Sequence, residues 1–272
     1  MKKVSILTGI YNCADTLPEA LDSVLAQTFS NWEMILCDDG STDDTFAVAS
    51  HYADLYPGRF IVIQNSTNLG LNRTLNRCLE LASGEYIARM DGDDISLPTR
   101  LEKEVYFLDT HPEFAIVSCP MIYFDENGDW GVGQAIEIPQ IDDFFKHAPF
   151  HCHAPCMIRR EAFVAVGGYS LDKRTLRIED CNLWFRLYAA GYRGYNLQEP
   201  LYKMRDGQDA YKRRSFKTRM NAVYVVSDGI KRLHLPKRYY IYVVKEFCAA
   251  IIKTLLPPSL YSHFHKAKRS NK

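Results

Sequence analysis

The sequence lacks the features that mark exported, membrane-embedded or disordered chains. No cleavage site follows its first apolar stretch, because Lys2 and Lys3 lead into residues 4–10 and then directly into Tyr11 and Asn12. Hydrophobic residues make up 47% and charged residues 24% of the 272 positions, which excludes a disordered, collagenous or multi-spanning membrane protein. We therefore expect a cytoplasmic protein with one large domain, or one domain and an appendage.

The eight cysteines form no C-x-x-C pair and are scattered through apolar stretches. This pattern favours buried free thiols over a disulfide framework. One cluster offers zinc as an alternative, and it comprises His147, His151, Cys152, His153 and Cys156. Structural zinc sites usually take their ligands from two separated pairs, and no second pair exists in this chain. Buried thiols and structural histidines are therefore favoured here.

The net charge is zero, but basic and acidic residues are unevenly distributed along the chain. Residues 1–202 carry 16 basic and 29 acidic side chains, whereas residues 203–272 carry 17 basic and 4 acidic ones. An acidic body with a basic tail predicts that the tail faces an anionic partner surface.

Short apolar runs alternate with helical patterns through the first third of the chain. The runs predict strands over 4–8, 32–37, 60–63 and 85–90, and the patterns between them predict helices over 17–25, 42–55 and 71–81. This alternation is typical of an α/β fold with an open parallel sheet and right-handed crossovers. Ligands of such sheets bind at the carboxyl ends of the strands.

Polar residues follow each of these four strands. They are Tyr11 and Asn12, then Asp38 and Asp39, then Asn68 and Gly70, and finally Asp91, Gly92, Asp93 and Asp94. Each Asp-Gly pair alone would be ordinary turn chemistry, but the coincidence at four successive strand ends favours one shared site. Carboxylates gathered there would repel one another unless a cation compensates. Oxygen ligands of this kind suit Mg²⁺ or Mn²⁺ bound together with substrate phosphates.

Five short motifs recur along the chain in a recognisable order. They are Ile10-Tyr11-Asn12, residues 38–43, Asn68-Leu69-Gly70 with Leu75-Asn76, residues 84–94, and Glu179-Asp180 ahead of Leu183-Trp184-Phe185-Arg186. In this order and spacing they resemble the family 2 inverting glycosyltransferases of the GT-A fold, from Val4 to about Pro200. The resemblance implies a single Rossmann-like, mostly parallel sheet flanked by helices. A catalytic domain is expected over 1–205, with a basic helical region over 206–272.

The resemblance also implies a nucleotide-sugar site. Tyr11 would stack on uracil, and Asp39 would accept a hydrogen bond from the N3–H of the base. Asp91 would lie beside the ribose, and Asp93, with Asp91, would bind Mn²⁺ or Mg²⁺ at the diphosphate. The other donor-binding residues implied are Thr8, Asn68, Gly70 and Gly92.

By the same resemblance, Asp180 would be the general base. It would take the proton from the acceptor hydroxyl as this oxygen attacks the anomeric carbon, and one displacement would invert the configuration. Glu179 would face the acceptor, and His153 would face the acceptor or the diphosphate, with a structural histidine as the alternative. Without the resemblance, Asp180 could instead cap the helix that begins beside it.

The sequence also lacks the Gln-x-x-Arg-Trp motif and the membrane spans of chain-extending members of the family. It therefore predicts transfer of one sugar from a UDP-sugar, or as second choice a dTDP-sugar, to a hydroxyl of a glycan acceptor. We expect a lipid-linked acceptor in surface polysaccharide or lipopolysaccharide synthesis. One departure from the family is Gly9, which stands where a proline is usual and loosens the backbone before Tyr11.

Two other functions are compatible with parts of the sequence. An apolar strand that ends in Asp91-x-Asp93 also occurs in haloacid-dehalogenase-like phosphohydrolases, but Tyr11 and Asp39 would then have no purpose. A non-catalytic nucleotide-binding scaffold is disfavoured by the presence of both Asp93 and Asp180.

The basic tail contains an apolar segment over 239–256, which ends at Pro257-Pro258. As a helix it would be about 27 Å long at ~1.5 Å per residue, which is marginal for a membrane span, and it contains Lys245, Glu246 and Lys253. A helix that lies in the membrane interface costs less free energy than one that buries these charges in the bilayer. Residues 231–272 therefore predict contact with an anionic membrane surface, and we expect a peripheral protein at the inner face of the cytoplasmic membrane. Packing of the helix on the acidic body is the alternative. Nucleic acid is not expected, because no binding module accompanies the charge.

Overall fold

The structure is a computed structural model, and it describes residues 2–146, 150–206 and 215–255. Across these ranges the strands are β1 (Val4–Ile10), β2 (Trp32–Asp38), β3 (Phe60–Gln64), β4 (Tyr86–Arg89), β5 (Ile95–Ser96), β6 (Ile116–Ser118), β7 (Met121–Asp125), β8 (Gly128–Val132), β9 (Met157–Arg159), β10 (Gly194–Asn196) and β11 (Tyr202–Arg205). The helices are α1 (Leu17–Leu25), α2 (Thr45–Leu55), α3 (Leu71–Leu81), α4 (Arg100–Thr110), α5 (Asp143–Lys146), α6 (Arg160–Ala165), α7 (Glu179–Ala189), α8 (Phe216–Arg232) and α9 (Tyr240–Leu255).

A seven-stranded sheet forms the centre of the fold, in the order β10-β6-β9-β4-β1-β2-β3. Strand β1 pairs in parallel with β2 and β4, so that Val4 lies opposite Trp32 on one side and Tyr86 on the other. Only β9 runs antiparallel within this described sheet, between β4 and β6. Helices cover both faces, which is why β1 and β2 are buried along almost their whole length. The predicted mostly parallel α/β sheet is confirmed.

The first helices begin and end close to the predicted positions. Helix α1 buries Leu17, Ala20, Leu21 and Val24 at helical spacing. Helix α2 begins at Thr45 rather than at Thr42, because the Asp43 carboxylate accepts the backbone N–H of Thr45 (3.1 Å) and also that of Ala14 (3.2 Å). Asp43 thus fixes the entry to α2 and ties it to the loop after β1.

A second sheet, in the order β5-β11-β7-β8, was not predicted. Its strands are two to five residues long, and their pairings join distant parts of the chain. Strand β11 lies parallel to β7 and antiparallel to β5. It thereby brings residues 202–205 beside the loop that follows β4.

Helix α8 packs on α7, and α9 packs on α8. Gly229 of α8 lies against the Phe185 ring, where an added Cβ would come within 2.5 Å. Helix α9 begins at Tyr240 after a 3₁₀ turn over 237–239, and the predicted end at 256 lies outside the described residues. One face of α9 packs on the body, with the Tyr242 and Phe145 rings stacked at 4.9 Å. Across the described ranges, every helix is too short or too polar to cross a membrane.

The histidines of the candidate zinc cluster are bound by protein groups. The amide of Asn196 donates to the carbonyls of Ile136 and Phe150, so its Oδ1 accepts from Nδ1–H of the buried His151 at 2.7 Å. The other ring nitrogen of His151 then accepts from the Tyr188 hydroxyl (3.1 Å). His147 lies outside the described residues. These contacts assign a structural role to His151 rather than a zinc-ligating one.

Burial of the neutral His151 ring predicts a pH-dependent stability. Burial lowers the pKa of His151 to about 4, whereas an unfolded histidine titrates near ~6.5. Between these values the unfolded chain binds the extra proton, so the unfolding free energy falls as pH falls, by at most ~1.4 kcal/mol per pH unit for this group. Urea unfolding at pH 7, 6 and 5 should therefore show a smaller pH slope for His151→Gln than for the wild type.

The matched control is His51→Gln, at an exposed position of α2. This variant should keep the wild-type slope. An unchanged slope in His151→Gln would contradict the assignment.

Candidate active site

An open cavity of about 1270 Å³ lies at the carboxyl ends of β1, β2 and β4. The structure brings nearly all of the predicted site residues to its walls. They are Tyr11, Asp39, Asn68, Gly70, Asp91, Gly92, Asp93, His153, Glu179 and Asp180. Thr8 is the exception, because it is fully buried in β1 and does not line this cavity.

Asp39 lies at the floor and holds the loop that follows β3. Its Oδ1 accepts from the Asn65 side-chain amide (2.7 Å) and the Leu69 N–H (2.8 Å), and its Oδ2 accepts from the Gly70 N–H (2.9 Å). Gly70 has a φ of +86°, a conformation that other residues adopt only with strain. A carboxylate offers about four acceptor positions, so Asp39 keeps one for a further donor.

Asp38 does not belong to the cavity, although it was predicted to lie with the other carboxylates. Its side chain is fully buried, and it accepts from the Ser41 N–H (3.1 Å) and the Gln64 amide (3.0 Å). Successive side chains of a strand point to opposite faces, so Asp38 and Asp39 diverge. Asp38 is a structural residue of the turn after β2.

Tyr11 stands at the rim with 48% of its surface exposed. The next residue, Asn12, has a φ of +49° and accepts the Thr42 N–H on its side-chain oxygen at 2.8 Å. The Asn12 N–H donates in turn to the Ser41 hydroxyl (3.0 Å). These bonds fix the loop after β1 and leave the Tyr11 ring free to stack on a planar ligand.

Three carboxylates after β4 form a candidate metal centre. Oxygen atoms of Asp91, Asp93 and Asp94 lie within 4.8 Å of one another. Arg89 is buried and makes a bidentate ion pair with Asp91. Partial burial and the charge of Asp91 raise the pKa of Asp93 to about 6. The site therefore favours a proton or a cation at Asp93.

Asp94 braces this centre from behind. Its carboxylate accepts from the Tyr202 hydroxyl (2.9 Å) and the Arg205 N–H (2.8 Å). The Tyr202 oxygen also accepts from the Asp91 N–H (3.1 Å). Gly92 is packed so tightly that an added Cβ would lie 2.8 Å from the Ile10 side chain. Asp94 is thus buried, whereas Asp91 and Asp93 line the cavity.

Two acidic residues of α7 form another part of the wall. The helix begins at Glu179 with Ile178 as its N-cap, so Asp180 lies in the first turn and is not the cap. Burial and the charge of Asp180 raise the pKa of Glu179, and the Arg177 N–H donates to the Glu179 carboxylate. The buried ring of Trp184 lies one turn further along and also lines the cavity.

His153 also lines the cavity. Its Nε2 is 2.7 Å from the hydroxyl of the buried Tyr169. Burial and the nearby charge of Arg89 hold the pKa of His153 well below its usual range. The ring is therefore neutral near pH 7.

Sequence reasoning missed Arg205 and the second wall of the cavity. Arg205 donates to the Asp93 carbonyl (2.9 Å) and pairs with Glu19, and the walls also include Met121 and Tyr123 of β7. Among the basic residues between positions 159 and 177, only Arg177 lines the cavity. The basic position in Tyr202–Arg205 was visible in the sequence, but its pairing with the metal loop depends on the unpredicted second sheet.

Comparison with known proteins identifies the family. The model of glycosyl transferase family 2 matches residues 5–167. The chain is 45% identical to the putative glycosyltransferase EpsE of Bacillus subtilis over 99% of this chain and 95% of that protein. It is 31% identical to WfaP of Escherichia coli, a UDP-Glc:alpha-D-GlcNAc-diphosphoundecaprenol beta-1,3-glucosyltransferase, over 76% of this chain and 79% of WfaP.

A solved structure shares the fold. Staphylococcus aureus TarS 1–349 in complex with UDP-GlcNAc superposes with a TM-score of 0.66 at 17% identity, over 99% of this chain and 92% of that one. The motifs, the sheet and the family match agree. The chain belongs to glycosyltransferase family 2 and has the GT-A fold.

Proposed function

We propose that the protein transfers one sugar from a UDP-sugar to a hydroxyl of a glycan acceptor, with inversion, in surface polysaccharide synthesis. The observation that carries this proposal is the convergence of Tyr11, Asp39, Asp91, Asp93 and Asp180 on one cavity. Groups that could bind the base and the diphosphate of a donor therefore line the same cavity as a group that could accept the proton of the acceptor. The name of WfaP, a UDP-sugar-dependent relative, supports the choice of nucleotide.

The donor's base would occupy the part of the cavity beside β1 and β3. Asp39 has one acceptor position left, which suits the N3–H of uracil or, as second choice, of thymine. Tyr11 would stack on the base, and the exposed Asn68 and the Gly70 backbone would border it. Cytosine and adenine have no ring N–H at the corresponding position, so Asp39 would discriminate against them.

The carboxylates fit a divalent cation such as Mn²⁺ or Mg²⁺. Their oxygen atoms are close enough to share one ion, and hard cations prefer such ligands. Asp93 and Asp91 would hold it, because both line the cavity, whereas Asp94 is buried. When bound, the cation supplies neutralisation of charge at the departing nucleoside diphosphate.

Asp180 would act as the general base toward the acceptor hydroxyl. Its position in the first turn of α7 directs it into the same cavity as Asp93. As the hydroxyl oxygen bonds to the anomeric carbon, its proton passes to Asp180 and the bond from sugar to diphosphate breaks. Glu179 would orient the acceptor, and the neutral His153 would contribute to the same side.

The acceptor is proposed to be lipid-linked, and the protein to act at the cytoplasmic face of a membrane. The outward face of α9 is apolar, with exposed fractions of 63% for Ile241, 55% for Val244, 58% for Ile252 and 78% for Leu255. Lys237, Arg238 and Lys245 accompany it. An apolar stripe with flanking cations suits the interface of an anionic bilayer, where each near-surface cation contributes ~1 kcal/mol.

A phosphohydrolase that uses Asp91 as nucleophile is disfavoured. Both oxygen atoms of Asp91 are paired with Arg89, which removes electron density from the attacking group. Tyr11 and the fixed loop at Asp39 would also have no use in such an enzyme.

Asp180→Asn tests the general base. The amide keeps the shape of the side chain but cannot accept the proton, so turnover of the donor with acceptor should fall by ~10²–10⁴. The affinity for UDP, measured by calorimetry, should stay within twofold. Asp54→Asn, at an exposed position of α2, is the control and should behave as the wild type; retained turnover in Asp180→Asn would exclude the assignment.

Asp93→Asn tests the metal centre. Wild-type affinity for UDP in Mn²⁺ should fall by about tenfold or more in EDTA, because the diphosphate loses its counter-charge. In Asp93→Asn the two conditions should give equal, weak binding. Asp15→Asn, also on the cavity wall, should keep the metal dependence. A wild type that binds UDP equally in both conditions would rule out the metal.

The exposed face of α9 predicts binding to anionic vesicles. The wild type should float with phosphatidylglycerol-rich vesicles and less with phosphatidylcholine alone, and the triple variant Ile241→Gln, Val244→Gln, Ile252→Gln should lose flotation. The matched control replaces three other exposed apolar residues, Leu55, Leu81 and Val164, with Gln. Equal flotation of both triple variants would end the membrane proposal.

A further inference from the structure

Arg177 stands out among the cations of the cavity by its backbone. Its φ is +66°, a left-handed conformation that residues other than glycine adopt only with strain. Strain of this kind is retained where the surrounding structure imposes it, and it clusters at functional sites. Here the conformation turns the Arg177 N–H toward the Glu179 carboxylate. The residue is thereby fixed three positions before Asp180.

The side chain of Arg177 is also uncommitted. Arg89 is paired with Asp91, and Arg205 with Glu19. Within the described chain, the exposed guanidinium of Arg177 has no ion pair and no hydrogen bond to another side chain. It is therefore an exposed positive charge, on a held backbone, that lines an acidic cavity and is available to a ligand.

The donor does not account for this charge. Its diphosphate would be met by the cation at Asp91 and Asp93, whereas Arg177 belongs to the segment that leads into Glu179 and Asp180. A guanidinium beside the proposed base faces the substrate that the base deprotonates. The group it suits is a phosphate, which guanidinium binds through two parallel hydrogen bonds.

The segment that carries Arg177 is joined to the C-terminal helices. The Asn221 amide of α8 donates to the Leu176 carbonyl (2.9 Å). Asn221 thus anchors the residue directly before Arg177, and α8 in turn packs on α9. Leu176 is exposed and also lines the cavity. The segment before α7 and helices α7, α8 and α9 are thus joined by direct contacts. Together they carry the Arg177 cation, the proposed base Asp180 and the apolar outward face of α9.

We propose that Arg177 is a specificity-determining residue that binds the phosphate groups linking the acceptor sugar to its lipid. The proposal rests on the proposed function and narrows its acceptor to a phosphate-linked lipid. Arg177 binds the phosphate, the apolar residues around it contact the first part of the lipid, and Asp180 meets the sugar hydroxyl.

The test uses the full chain and a sugar-free probe. The protein is first saturated with UDP and Mn²⁺, so that the donor subsite is filled, and is then titrated with farnesyl diphosphate and, separately, with farnesol. The wild type should bind the diphosphate at least tenfold more tightly than the alcohol. Arg177→Asn, which tolerates a positive φ but has no charge, should lose most of this preference, and Arg177→Lys should keep more of it than Arg177→Asn.

Arg174→Gln is the control, because Arg174 is paired with Asp172 and does not line the cavity; it should bind both probes as the wild type does. A wild-type preference for the diphosphate that persists in Arg177→Asn overturns the proposal. So does an Arg177→Asn variant with weakened affinity for UDP itself, since the cation would then serve the donor. A wild type that binds UDP but not farnesyl diphosphate rejects this inference alone, whereas a wild type that binds no UDP rejects the proposed function.

Discussion

The constraint on which the site depends is the neutralisation of carboxylates gathered at one edge of a sheet. Arg89 provides part of it from beneath, as a buried guanidinium paired with Asp91. Its carbonyl accepts from the fully buried Arg100 (2.9 Å), which is itself paired with Glu104. A buried charge that loses its partner costs ~3–5 kcal/mol. The acidic cavity is therefore supported by a chain of buried cations that extends into the core.

Much of the fold could be predicted because its first half is governed by local patterns. Strand β1 is mostly apolar and buried since helices cover both faces of the sheet, and helix α1 shows a regular buried stripe. The second sheet could not be predicted for the opposite reason. Its strands are short, and β11 is joined to β7 across about 80 positions of the sequence. No local pattern encodes such a pairing.

The site shows the same division. Acidic residues after strands could be found from the sequence, because an apolar run followed by turn residues predicts where a strand ends. Whether a given carboxylate enters the cavity depends on its direction, which is why Asp38 was placed wrongly beside Asp39. The role of Tyr202 could not be predicted at all, since it joins Asp91 to Asp94 only through the second sheet.

The hydrogen bonds of Asp39 have a consequence for how the molecule can change. They order the loop that precedes α3 in the folded chain itself, so the entropy of fixing that loop is a cost of folding and not of ligand capture. The segment before α7 is different, since Leu176 and Arg177 project into the cavity with exposed side chains. The cavity thus has one side whose loop is held by the hydrogen bonds of Asp39. On its other side, the exposed side chains of Leu176 and Arg177 can be substituted without breaking such bonds. Under the proposed function, new acceptor preferences can arise on such a scaffold while nucleotide recognition stays as it is.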